Sequence, residues 1–199
     1  MRALVYDRTC LVRRGWLTTP WAAGGVLYRA LGRVEASHAA TSWDAALAWL
    51  ASLPEPITEL QYWGHGKWGR AFVGEDALDA SAIASDRLAP LRVALAPNAL
   101  IWFRTCETFG ATAGIDFAER LADYTGARVA GHTFVIGIRQ SGLHGLSPGT
   151  RADWSAHEGL AEGTPDAPAR AHGSRLSAPN TVTCFTPAVP DAYFVKPSR

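Results

Sequence analysis

Two stretches of the chain, ITELQYWGHG (residues 57–66) and ALIWFRTCE (residues 99–107), share one design, an apolar, strand-like run that ends in polar residues. The first run leads into His65 and the second into Cys106. In a parallel sheet the carboxyl ends of neighbouring strands lie at one edge, where binding sites form. We therefore expect an imidazole and a thiol to meet at that edge, as a cysteine nucleophile and its base do.

Length, charge and cysteine content narrow the class of protein. The 199 residues are predicted to form a single domain, residues 1–199, and the 19 basic and 18 acidic side chains leave a net charge of +1. So small a charge favours neither nucleic acid nor a membrane as a partner. The three cysteines lack the spacing of metal ligands, and no apolar run is long enough for a membrane span. We expect a soluble, cytoplasmic protein with a free Cys106 thiol and with no metal or other cofactor.

Strand and helix patterns are predicted to alternate along the chain. Strands are expected at residues 2–9, 34–40, 57–63, 99–103 and 128–136, a hairpin at 70–78, and helices at 20–31, 43–50, 79–95 and 114–124. Ser42 is the expected N-cap of the second helix, Gly126 ends the last one, and Pro97-Asn98 is expected to form a turn. From about residue 137 the chain is predicted to be loop-rich, with one last strand near 181–185. The order predicts an α/β fold, a three-layer α/β/α sandwich with a mostly parallel central sheet.

The two motifs contain the groups that thiol catalysis requires. Cysteine attacks as the thiolate, and a neighbouring imidazole such as that of His65 increases the thiolate fraction. Gly66 has no side chain, so its N–H, together with the N–H of Cys106, is a candidate oxyanion hole. Each motif also has a simpler interpretation. A cysteine at a strand end is often a small buried apolar residue, and Gly-His-Gly is often a turn.

At these residues the chain resembles the caspase–haemoglobinase fold, a group of cysteine peptidases that includes caspases, metacaspases, legumains and gingipains. Members carry an apolar block before His-Gly and a second apolar block before a small residue and Cys. The matching residues here are Leu60–Trp63 with His65-Gly66, and Leu100–Phe103 with Thr105-Cys106. The resemblance covers about residues 57–136, although the caspase string Gln-Ala-Cys-x-Gly is absent. It implies a caspase-like cysteine endopeptidase with Cys106 as nucleophile, His65 as general acid and base, and Gly66 in the oxyanion hole.

The resemblance also implies a substrate-binding role for Arg104, because the residue two positions before the cysteine often lines the specificity pocket in this group. A guanidinium there favours substrates with an acidic side chain at the cleavage point. The alternatives are that Arg104 points to solvent or pairs with Glu107. The expected partner is a protein or peptide substrate, with an activating partner protein as a further candidate. Two other functions stay open: a catalytically silent binding or scaffold domain of the same fold, and a thiol acyltransferase.

Overall fold

The computed structural model describes residues 1–11 and 17–195, and its centre is a β-sheet. The strands are β1 (Arg2–Asp7), β2 (Ala36–Ala40), β3 (Ile57–Trp63), β4 (His65–Lys67), β5 (Arg70–Val73), β6 (Asp76–Leu78), β7 (Leu95–Arg104), β8 (Arg128–His132), β9 (Arg139–Gln140), β10 (Leu143–Leu146), β11 (Leu160–Gly163), β12 (Pro168–Ala171) and β13 (Val182–Thr183). The helices are α1 (Thr18–Ala30), α2 (Trp43–Ala51), α3 (Ala80–Ala84), α4 (Ala89–Ala94) and α5 (Ala111–Thr125).

The central sheet has six strands in the order β10-β8-β7-β3-β1-β2. Strands β2, β1, β3, β7 and β8 run parallel, and β10 pairs with β8 in the antiparallel sense. The predicted α/β class with a mostly parallel sheet is therefore confirmed. A separate three-stranded sheet, β4-β5-β6, follows β3 directly and carries His65.

The alternation of side chains along each strand gives the central sheet two apolar faces. Val5, Tyr62 and Phe103 belong to one core, which contains residues of α2, α3, α4 and α5. On the other face, Leu4 packs with Tyr28 of α1, while Trp102 packs with residues of the C-terminal segment. Both faces are covered, so the strand ends are the part of the sheet that remains available for a site.

Several local predictions are confirmed. The Ser42 side chain accepts a hydrogen bond of 3.1 Å from Ala45 N and so caps α2. Gly126, at φ 68°, ends α5 in the left-handed conformation that glycine adopts readily.

Among the described residues, no helix combines the length and the apolar character that crossing a membrane requires.

Two predicted elements are wrong in their extent. The single helix expected at 79–95 is divided into α3 and α4, because Pro90 lacks an N–H and is accommodated only in the first turn of a new helix. The turn expected at Pro97-Asn98 lies inside β7, where Asn98 has φ 59° and the pairing of β7 with β3 shifts register. A bulge therefore accommodates these two residues without ending the strand.

The chain after residue 128 also differs from expectation. Strand β8 ends at His132 rather than at residue 136, because the carbonyls of His132 and Phe134 accept hydrogen bonds from Phe109 and Glu107 instead of from a strand. The part predicted to be loop-rich contains β9 to β12, including the sixth strand of the central sheet. The short β10 has no alternating pattern because all four of its residues are buried.

Candidate active site

The carboxyl ends of three adjacent strands converge at one edge of the central sheet. Strand β3 lies between β1 and β7, and Trp63 pairs with Tyr6 on one side and with Arg104 on the other. Just beyond the ends of β1, β3 and β7 the chain carries Cys10, His65 and Cys106, in that order. The predicted delivery of an imidazole and a thiol to one edge is therefore consistent with the observed pairing, and a second thiol arrives beside them.

Gly66 packs directly against the loop that carries Cys106. A Cβ atom at Gly66 would lie 2.5 Å from the Cys106 carbonyl oxygen and 2.0 Å from Thr108 Oγ1. Real Cβ atoms do not approach other atoms this closely, so only glycine fits here without movement of the loop. The histidine motif and the cysteine motif are therefore in contact through their backbones.

The turn between β4 and β5 orients the backbone of Gly66. Trp68 and Gly69 have φ values of 32° and 77°, as a two-residue type I′ hairpin turn requires. In such a hairpin the pair Lys67–Arg70 exchanges hydrogen bonds, and the next pair, Gly66–Ala71, does not. The Gly66 N–H therefore points away from β5, and its predicted place in an oxyanion hole stays a prediction.

The loop after β7 is held on two sides. Trp68 N donates to Glu107 O over 3.0 Å and Gly69 N donates to Thr108 O over 2.9 Å, while Glu107 N donates to Phe134 O over 3.0 Å. Within this framework Glu107 has φ 41°, a left-handed conformation that costs a non-glycine residue about 1–3 kcal/mol. The residue that follows Cys106 is therefore in a strained conformation, which the surrounding hydrogen bonds maintain.

The Cys106 thiol has a backbone partner in the segment after β8. Its Sγ lies 3.4 Å from Ile136 N, which donates to it, and 3.8 Å from Ile136 O. Burial raises the pKa of the Cys106 thiol, and the charge of Glu107 raises it further. The raised pKa favours the neutral thiol, and the described residues include no hydrogen bond between Sγ and the His65 ring.

His65 is exposed, and its ring is held by two neighbours. Nε2 lies 3.1 Å from Cys10 Sγ, and the ring meets Trp21 edge-on with a centroid separation of 5.5 Å. Burial, followed by the charge of Asp7, raises the pKa of the Cys10 thiol. The sequence assigns Cys10 a structural rather than a functional role, although its position just past the end of the first predicted strand resembles those of His65 and Cys106.

Arg104 is enclosed by the protein, with 4% of its surface exposed. The guanidinium lies 4.0 Å from the centroid of the Trp102 ring, and its hydrogen bonds within the described residues go to neutral oxygens. These acceptors are Gln140 Oε1, Tyr28 Oη, Gln61 Oε1 and the carbonyls of Thr183 and Thr186. The alternatives in which Arg104 faces solvent or pairs with Glu107 are therefore wrong. The predicted binding of an acidic substrate residue stays a prediction.

Glu107 is the second functional candidate that the sequence does not single out. Its side chain is buried, and within residues 1–11 and 17–195 its Oε2 has no hydrogen-bond partner. Burial raises the pKa of the Glu107 carboxyl, and Lys67 partly opposes that effect. A strained, buried carboxylate such as that of Glu107 is a feature that active sites tolerate and that stability alone disfavours.

No three His, Cys, Asp or Glu side chains of the described residues converge as metal ligands would. In the region after β8, His144 instead pairs with Glu158, with Nε2 2.6 Å from Oε1, and stacks on Trp154. The hydrogen bond and the ring contact join β10 to the segment of residues 154–158, and Trp154 of that segment belongs to the domain core.

Comparison with known protein families identifies a match. The family described as a domain of unknown function (DUF4347) matches residues 34–147, more than half of the 199 residues. The matched range includes His65, Gly66, Arg104 and Cys106 but not Cys10. No curated protein and no solved structure matches the chain.

Proposed function

The chain belongs to the DUF4347 family, and we propose that it is a cysteine endopeptidase in which Cys106 is the nucleophile and His65 the general acid and base. The observation that carries the proposal is the contact between the two motifs. Strands β3 and β7 are neighbours, and Gly66 packs against the Cys106 carbonyl with no room for a side chain. The substrate would be a protein or a peptide.

The reaction follows from these groups. The Cys106 thiol transfers its proton to His65, and the sulfur bonds to the carbonyl carbon of the substrate while Gly66 N–H and Cys106 N–H bind the oxyanion. His65 returns the proton to the leaving amine as the peptide C–N bond breaks, which leaves an acyl-enzyme on Cys106. His65 then takes a proton from water, the hydroxide displaces sulfur from the acyl carbon, and the proton restores the thiol.

Under this proposal, the described arrangement of Cys106 and His65 is a resting state of the reaction. Burial holds the pKa of Cys106 above its usual value, and the thiol bonds to Ile136 rather than to His65. Catalysis requires that the imidazole and the sulfur approach each other when substrate binds or when an activating partner protein acts. The exposed position of His65 on the short strand β4 is compatible with such a movement.

Two further parts of the proposal, the caspase-like sandwich and the preference for acidic residues, rest on the resemblance to the caspase–haemoglobinase fold. A caspase-like three-layer sandwich is supported by the helices α2 to α5 in the core on one face of the sheet and by α1 on the other. Preference for acidic residues at the cleavage point requires that Arg104 exchange the carbonyls of Thr183 and Thr186 for a substrate carboxylate. This preference is therefore conditional on displacement of the C-terminal segment.

A second candidate function is a catalytically silent binding domain of the same fold. Two observations favour it: the neutral, backbone-bonded thiol of Cys106 and the engagement of His65 Nε2 by Cys10 instead of by Cys106. In such a domain the strand-end edge would bind a protein segment without cleaving it.

A panel of fluorogenic peptides that differ in the residue before the cleaved bond tests the peptidase. We expect hydrolysis by the wild type and a loss of about 100-fold or more in both Cys106→Ala and His65→Ala. His157→Ala is the control, because His157 is an exposed histidine of the region after β8. Hydrolysis that survives Cys106→Ala would refute the proposal. Preferred cleavage after Lys or Arg would refute only the role of Arg104.

A covalent probe separates the peptidase from the silent domain. Peptidyl acyloxymethyl ketones alkylate cysteines that attack a bound carbonyl, so mass spectrometry should find one adduct, on Cys106, that His65→Ala abolishes. The silent domain predicts no adduct on Cys106 with any peptide of the panel.

A further inference from the structure

We propose that Cys10 is a positioning residue for His65: its sulfur accepts a hydrogen bond from Nε2–H and leaves Nδ1 as the nitrogen that serves Cys106. The catalytic consequence rests on the proposed function, but the arrangement of the two side chains does not. Cys10 lies outside the residues that match the family, 34–147, so the family match does not assign it a role.

The order of the strands places His65 between two thiols. Strands β1, β3 and β7 are consecutive in the sheet, and Cys10, His65 and Cys106 follow their carboxyl ends in that order. The imidazole has two nitrogens on different edges of the ring. Because Nε2 is directed to Cys10 on the β1 side, Nδ1 is the nitrogen that remains for the β7 side.

The position of Cys10 is held by a buried carboxylate. Asp7 Oδ1 accepts hydrogen bonds from Thr9 N and Thr9 Oγ1, each 2.7 Å long, and Asp7 Oδ2 accepts one of 3.3 Å from Gly74 N. Thr18 Oγ1, at the start of α1, donates to Asp7 O over 3.1 Å. These bonds connect Asp7 and Thr9, which precede Cys10, to the hairpin β5–β6 and to α1, and so restrict the place of the sulfur beside His65.

The role of His65 as the base of Cys106 selects the donor. A thiol both donates and accepts weak hydrogen bonds, so the 3.1 Å contact between Nε2 and Sγ is compatible with either direction. In the proposed arrangement Nε2–H donates to Sγ, because only this direction leaves the Nδ1 lone pair for Cys106. A neutral imidazole carries one N–H, so this bond selects the tautomer in which Nδ1 has a free lone pair. The edge contact of Trp21 restricts the ring from another side.

NMR of the full-length protein labelled with nitrogen-15 tests the arrangement without any assay of activity. Long-range couplings between ring protons and ring nitrogens identify the nitrogen that bears the proton, and a His65→Gln spectrum assigns the signals. We expect the Nε2–H form for His65 in the wild type, loss of this preference in Cys10→Ala and its recovery in Cys10→Ser. Cys184→Ala, which removes a thiol elsewhere, should leave the signals unchanged. An Nδ1–H tautomer in the wild type, or no change in Cys10→Ala, would overturn the inference.

Kinetics on the best peptide of the panel test the catalytic consequence. Cys10→Ala should lower kcat/KM by about 10- to 100-fold through misplacement of His65, and Cys10→Ser should restore most of the loss. Loss of hydrolysis in Cys10→Ser together with its survival in Cys106→Ala would make Cys10 the nucleophile and would overturn the inference. If no peptide is cleaved, the proposed function fails, and the NMR result still decides the role of Cys10.

Discussion

At the scale of single residues, the burial of the Glu107 side chain is not explained by a gain in stability. Its carboxylate is buried, and Oε2 has no hydrogen-bond partner among the described residues. A buried polar group without a partner costs about 1–3 kcal/mol of folding free energy, and a charged group costs more. Its charge also contributes to the raised pKa of the Cys106 thiol. We expect Glu107→Gln to stabilise the fold at pH 7, by about 1 kcal/mol or more, and to speed alkylation of Cys106 by iodoacetamide.

Urea unfolding and mass spectrometry measure these two effects, with the exposed Glu55→Gln as the control. Because the pKa of Glu107 is raised in the folded chain, lowering the pH lets the native carboxyl take up a proton and removes its cost. The gain in unfolding free energy of Glu107→Gln over the wild type should therefore shrink as the pH falls. An advantage that stays constant with pH would show that the carboxylate charge is not its source.

His132 is a second residue whose burial has a measurable consequence. Burial lowers its pKa from 6.5 to about 3, and its Nε2 lacks a partner within residues 1–11 and 17–195. Between these pH values the unfolded chain binds a proton that the native chain does not, so stability falls as the pH falls. We expect His132 to account for a loss of about 1.6 kcal/mol between pH 6.5 and pH 5, measured by urea unfolding. His132→Asn should remove this part of the slope, whereas the exposed His157→Asn should not.

At the scale of elements, the hairpin β4–β5 and the loop after β7 form one unit around Gly66. Gly66→Ala would place Cβ against the Cys106 carbonyl and Thr108 Oγ1, so one of the two elements has to move. We expect a loss of stability of about 1–3 kcal/mol and a large loss of hydrolysis, measured by thermal unfolding and with the peptide panel. Gly173→Ala, whose Cβ would meet no atom within 4 Å, is the control. A fully active Gly66→Ala would contradict the proposed oxyanion site.

The elements also show why local predictions succeed or fail. The N-cap of α2 at Ser42 and the end of α5 at Gly126 depend on interactions within a few residues, and both are as predicted. The division of the helix at Pro90 follows from the missing N–H of proline, a local rule that the periodicity of the surrounding leucines obscured. Strand β10 has no such local signal, because its burial depends on β8 and on Phe194, which packs over Gly145.

At the scale of the whole molecule, Arg104 joins the sheet to the C-terminal strap, which we define as residues 181–186. Its guanidinium binds the carbonyls of Thr183 and Thr186 and also Tyr28 Oη. Tyr28 Oη in turn donates to the carbonyl of Cys184 over 2.7 Å. Arg104→Lys keeps the charge but loses the planar set of donors, and we expect it to cost about 2–3 kcal/mol in urea unfolding.

Hydrogen exchange locates the loss of stability that we expect in Arg104→Lys. The amides of Thr183 and Cys184 should exchange faster in Arg104→Lys, because they are bonded at the strap through Thr186 Oγ1 and Ile138 O. The exposed Arg139→Lys, on the strand that pairs with the strap, is the control. Unchanged exchange at the strap would show that Arg104 is not what holds it.

The amino-acid sequence by itself determined the α/β class, the main strands and the delivery of His65 and Cys106 past neighbouring strand ends, because these depend on side-chain periodicity and on residues close in the chain. Only the tertiary structure decided the environment of each group: Cys10 at His65 Nε2, Ile136 at the Cys106 thiol, and the enclosure of Arg104. Such contacts join residues far apart in the chain, Tyr28 and Cys184 being 156 positions apart. A sequence pattern shows which groups are present, whereas their partners, burial and protonation depend on how distant segments pack together.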